Sequence, residues 1–158
     1  MKGNEGITIL QIVITIIVMM LILSVSVFKG VSTTKEAKIA TTYNEIKEVE
    51  GALKEAKVRD KIEILDNSIN ILGEYEAPKI DTNAYSVQLG DSSGDFYYLD
   101  FTSSRKLSNA LDLERIKNDY LLEVNNLDLY MVAGLDINDT LTYDTKEIAK
   151  FYQDSFVK

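Results

Sequence analysis

From its seventh residue the chain enters a run that carries no charge. Twenty-two residues from Ile7 to Phe28 are mostly Ile, Leu, Val and Met. At 1.5 Å per residue such a helix is about 33 Å long, enough for the ~30 Å hydrocarbon core of a bilayer. A removed secretory signal has a shorter apolar region and a small-residue cleavage site at its far end, so the pattern predicts a retained membrane-spanning helix. Beyond it the apolar positions become periodic. Ile39, Tyr43, Ile46, Val49, Leu53 and Ala56 recur every three or four residues with Lys and Glu between them, the stripe of an amphipathic helix that docks on a sheet. The helix is expected to run from Ile7 to near Lys57. A further register, Val58, Ile62, Leu65, Ile69 and Leu72, ends at Gly73 and predicts a second helix or an extension of the first.

From Tyr75 the pattern changes to short runs separated by turn formers. Residues 74–83, with the only proline, Pro78, read as a loop. Ser86–Leu89 and Phe96–Phe101 read as a hairpin about the 90–95 turn. Ser103 or Ser104 is placed to cap a helix with Leu107, Ala110 and Leu111 on one side. Residues 120–124 and 127–132 flank Asn125-Asn126, and residues 135–137 and 141–143 flank Asn138-Asp139-Thr140. Both predict tight hairpins, because Asn and Asp tolerate the left-handed backbone of such turns. Ile148, Phe151, Tyr152 and Phe156 predict a C-terminal helix from Thr145. The expected fold is α+β: a long N-terminal helix, membrane-embedded in its first half, packed on a small antiparallel sheet.

Charge and composition narrow the function. The 158 residues suit one domain. Net charge is −8, and the acidity is concentrated in residues 58–158, with ten Lys and Arg against nineteen Asp and Glu. Such a surface repels polyanions, so no nucleic-acid partner is expected. Histidine and cysteine are absent, which removes Ser-His-Asp and Cys-His nucleophiles, the usual zinc ligands, haem attachment and disulfides. No catalytic residue is assigned, and the protein is not expected to be an enzyme.

The start supplies the most specific motif. Met1-Lys2-Gly3-Asn4-Glu5-Gly6 precedes Ile7-Thr8-Ile9-Leu10-Gln11, a short polar leader ending in Gly directly before the apolar helix. This resembles the leader of type IV prepilins and pseudopilins. The resemblance implies cleavage between Gly6 and Ile7 by a membrane-embedded prepilin peptidase and N-methylation of Ile7. It also implies a helix that holds the subunit in the membrane and then packs in a filament core with other pilin or pseudopilin subunits. Two positions depart from the family pattern. Gln11 stands where the family usually has a Glu that neutralises a neighbour's N-terminal amine, which implies a minor or tip-proximal subunit. Phe28 stands where a helix-breaking Pro is frequent.

The resulting division is a leader over residues 1–6, a membrane and filament helix over 7–28, its amphipathic continuation over 29–57, and an α+β head over 58–158. The implied location is the membrane with an extracytoplasmic head before assembly, and a surface or cell-wall-spanning filament afterwards. A signal-anchored extracytoplasmic binding domain that never polymerises is the alternative. Other chemical motifs are weak. Asp91 and Asp95 bracket a Ser-Ser-Gly turn that offers oxygen ligands to calcium but lacks the EF-hand pattern, and an acidic solvated turn explains it without metal. Asn138-Asp139-Thr140 fits both an N-glycosylation acceptor and a turn.

Overall fold

The computed structural model describes residues 5–157, with the side chains of residues 13–20 and 34–157. Two compact units divide the chain, residues 1–38 and residues 39–158. Helix α1 has the bounds Glu5–Val58. Within the second unit its predicted stripe is the buried one: Ile39, Ile46, Val49, Leu53 and Ala56 are at most 7% exposed. Half-buried Tyr43 stacks on Tyr152 with ring centroids 4.2 Å apart.

The helix does not continue toward Gly73, and no second helix forms there. The Asp60 N–H donates to the Lys57 carbonyl, the Lys61 N–H reaches back to the Ala56 carbonyl, and Asp60 takes φ 56°. These paired bonds around a left-handed residue close a helix end by satisfying its last carbonyls. Strands β1 (Ile62–Ile64) and β2 (Ser68–Ile71) follow, paired antiparallel, and β3 (Tyr75–Pro78) completes a three-stranded sheet. The predicted register failed because the spacing from Ile62 to Ile69 suits a helix as well as two strands. Ile69 and Ile71, two residues apart and both fully buried, obey the strand period. Gly73 (φ 73°) belongs to the β2–β3 turn.

Asp81 caps a 3₁₀ turn over Thr82–Tyr85 by accepting from the Asn83 N–H, and α2 (Ser86–Leu89) follows. The strand expected at Ser86–Leu89 is therefore helical, and the hairpin expected about the 90–95 turn is not formed. Strand β4 (Phe96–Leu99) pairs instead with β5 (Tyr120–Glu123), which pairs with β6 (Asp128–Ile137), which pairs with β7 (Thr140–Asp144), all antiparallel. The head thus holds two sheets rather than one, linked by an isolated bridge between Lys79 and Tyr97. Between β4 and β5 lies α3 (Arg105–Ala110), capped by Ser104 accepting from the Lys106 N–H. Helix α4 (Thr145–Phe156) starts at the Asp144 cap, with Ile148 fully buried.

The four-stranded sheet is covered on both faces. Tyr97, Leu99, Tyr120, Leu122, Leu129 and Met131 belong to the main core with the α1 stripe. Phe96 and Leu121 point the other way and join Leu89 of α2, with Tyr85, Tyr98 and Tyr130 packed around them. This two-sided burial explains why all four residues of β5 are buried, as the alternation of a strand requires when neither face meets water. The bulge in the β6–β7 pairing contains Gly134, at φ 69°, where an added Cβ would lie 2.7 Å from the Tyr143 ring. Asn138 and Asp139 make the predicted β6–β7 turn with φ 51° and 62°. In the β5–β6 turn the left-handed residue is Leu127, not an asparagine.

Candidate assembly site

The residues to which the family resemblance assigns a role fall at the start of α1. Residues 1–4 of the expected leader lie outside the described residues. Gly6, Ile7 and Gln11 fall within the bounds of α1, but their side chains lie outside the described ones. Of the apolar segment 7–28, side chains are described at residues 13–20. There Val13, Ile14, Ile16, Ile17, Val18, Met19 and Met20 are 46–64% exposed. Successive residues advance about 100° around a helix, so eight consecutive positions sample every face. An apolar surface on all sides of a helix is what a bilayer or a bundle of like helices covers. Among the described residues no helix is long and apolar enough to cross a membrane.

In the head, three hydrogen-bonded carboxylates fix the seat of α1, the β4–β5 connection and the β5–β6 turn. Glu45 is 7% exposed on the buried side of α1. Its Oε1 accepts from the Asn118 N–H at 3.0 Å, the Asn118 side-chain amide at 2.9 Å and the Tyr120 hydroxyl at 2.9 Å. These bonds tie the C-terminal part of α1 to the entry of β5. Near the helix end, the Lys57 ammonium donates to the Val124 carbonyl at 2.7 Å and the Asn125 carbonyl at 2.5 Å. A lysine in the last turn also suits the negative end of the helix dipole.

Asp119 accepts from the Phe101 and Thr102 N–H groups, the Thr102 hydroxyl and the Tyr98 hydroxyl, all at 2.8–2.9 Å. Glu123 accepts from the Asn125 and Asn126 N–H groups at 3.0 and 2.8 Å, closing the β5–β6 turn. Burial pushes the Tyr120 hydroxyl well above its ordinary value, and the adjacent Glu45 carboxylate adds to the rise. Burial followed by the bond to Asp119 does the same to Tyr98. Both phenols are hydrogen-bond donors held in the neutral form, an arrangement that fixes structure rather than shuttling protons near neutrality.

The Asp91–Asp95 turn is occupied by internal contacts. The Lys79 ammonium sits 2.7 Å from Asp95, and the Ser92 and Tyr130 hydroxyls share a hydrogen bond of 2.8 Å. Asp91 is exposed. Calcium takes six to eight oxygens, and among the described residues no group of three or more acidic side chains is gathered for a metal.

Sequence reasoning missed Glu45 and Asp119. For Glu45 a signal existed: it lies beside Ile46, three residues after Thr42 and four before Val49, so it falls within the apolar face. A carboxylate at such a position requires donors from elsewhere in the fold. For Asp119 no such signal exists, since all its donors except Tyr98 come from the irregular segment that follows β4. No family model matches this chain, and neither a curated protein nor a solved structure matches it.

Proposed function

We propose that this protein is a structural subunit of a type IV pilus-like or type II secretion-like filament, of the minor pilin or pseudopilin kind. It is cleaved between Gly6 and Ile7 by a prepilin peptidase and N-methylated on Ile7. Residues 7–28 then hold it in the membrane, with an extracytoplasmic head, until they join the helices of other subunits in the filament core. The observation that carries this reading is the belt from Val13 to Met20, exposed on every face of α1, next to a leader of prepilin type. Apolar burial and close packing drive both membrane residence and helix association. The hydrogen-bonded seat of α1 in the head supports it as well, because an assembling helix must keep its head in a fixed pose. The work in this reading is assembly, with no reaction assigned.

Mass spectrometry of the protein from its own membranes tests it. A mature chain starting at methylated Ile7 is expected. A chain retaining Met1 instead indicates an anchored domain that does not polymerise, and ends the proposal. Gln11 supports a minor position, since an amide hydrogen-bonds a neighbouring amine but supplies no charge. Sheared filaments in which this subunit is the dominant component contradict the minor assignment.

A further inference from the structure

Within the acid-rich head a surface cavity beside α3 runs against the overall charge and holds two of the three arginines. It has a volume of about 700 Å³ and is lined by the end of the β4 connection, by α3 and by the segment that leads to β5. Arg105, Arg115 and Lys117 line it with a single acid, Glu114, leaving an excess of two positive charges. All three cations are exposed, and no side-chain ion pair or hydrogen bond is formed by any of them among the described residues. By contrast, Arg59 is paired with Glu55, Lys79 with Asp95 and Lys146 with Asp128. The chain has three arginines, and two of them face this cavity.

The rest of the wall suits a ligand that is charged at one end. Ser108 and Asn109 add neutral hydrogen-bonding groups, while Phe101 and Ile116, at most 9% exposed, supply an apolar floor. The Phe101 and Thr102 backbone is fixed from behind by Asp119, so this part of the wall is preorganised and little ordering cost falls on binding. Arg115 is held at φ 74°, a left-handed conformation that disfavours every residue with a Cβ.

We infer that this cavity binds a multiply charged oxyanion, a carboxylate or phosphate compound of small-molecule size. Guanidinium groups grip such oxyanions through paired N–H donors, and Lys117 adds a compact charge. The volume lies within the ordinary range for ligand sites, about 300 to 1,000 Å³. The same chemistry has two sources: a free small molecule, or carboxylates from the head of a second copy of this chain. The inference stands whether or not the protein assembles into filaments.

The test uses the full chain in a non-ionic detergent, labelled with ¹⁵N on arginine, so that three side-chain Nε–H signals report directly. Pyrophosphate and citrate are the probes, at a fixed near-physiological ionic strength. Saturable shifts of the Arg105 and Arg115 signals are expected, while Arg59, paired with Glu55, stays in place. Arg105→Ala and Arg115→Ala should each weaken binding by about tenfold, a loss of about 1.4 kcal/mol, with Arg105→Lys in between. An unchanged thermal midpoint reports that each variant keeps its fold. If concentrating the chain alone shifts the same two signals and pyrophosphate reverses the shift, the second copy is the source. Unsaturable drift of all three arginines, or undiminished affinity in both alanine variants, overturns the site.

Discussion

Glu45 is a carboxylate set among apolar neighbours, with Thr42, Ile46 and Val49 buried near it on α1 and three donors converging on one of its oxygens. Hydrogen bonds to a charged group contribute about 1.5–3 kcal/mol each, and stranded donors add to the cost of losing it. Glu45→Ala leaves neutral donors stranded rather than a charge, and should destabilise the head by about 1–3 kcal/mol or more, read as a shift of the urea midpoint. Glu45→Gln keeps an acceptor oxygen and should cost less. The Tyr120 hydroxyl makes a second prediction. Its proton is held in the folded state at pH values where the unfolded chain, with an ordinary tyrosine value near 10, has lost it. Between those limits the folded state binds more protons, so stability must fall as pH rises above about 10. Tyr120→Phe removes this contribution, and its stability measured from pH 9 to 11 should decline less steeply than that of the parent.

At the scale of elements, the closure of α1 decides the layout of the head. Asp60 sits at φ 56° and is exposed, so its side chain gains little in return for the left-handed backbone. Asp60→Gly should leave the fold intact and raise stability by up to about 1 kcal/mol, while Asp60→Val should lower it, because a β-branched residue resists positive φ. Thermal midpoints distinguish the two. Gly134 gives the opposite case. Gly134→Ala meets both positive φ and the Tyr143 ring, and a loss of about 1–3 kcal/mol is expected in the same assay. These positions also show where a sequence is ambiguous. The stripe on α1 spans several turns and was legible. The 58–72 segment was not, since its five widely spaced apolar residues fit a helix while Ile62 with Ile64 and Ile69 with Ile71 fit strands, and only the pairing of β1, β2 and β3 selects the strand.

For the whole molecule, the exposed belt from Val13 to Met20 lies in the unit of residues 1–38, and the buried core lies in that of residues 39–158. On the proposed filament-subunit reading, a charge placed in the belt leaves head stability unchanged while lowering membrane residence and assembly. Ile16→Lys costs about 3–4 kcal/mol at the centre of a spanning helix, so in that reading its membrane-bound fraction falls while the thermal midpoint of the head stays that of the parent. An equal loss in both measurements would show that the belt is part of the folded core. The sequence by itself determined the apolar run, the amphipathic stripe, the late hairpins and the C-terminal helix. Each is written in a local period or a turn residue that needs no distant partner. Only the tertiary structure decided the end of α1 at Asp60, the division into two sheets and the two-sided burial of β5. It also decided the donor sets of Glu45 and Asp119 and the meeting of Arg105, Arg115 and Lys117. These depend on contacts between segments far apart in the chain, and no local pattern encodes which strand edge or donor a segment will meet.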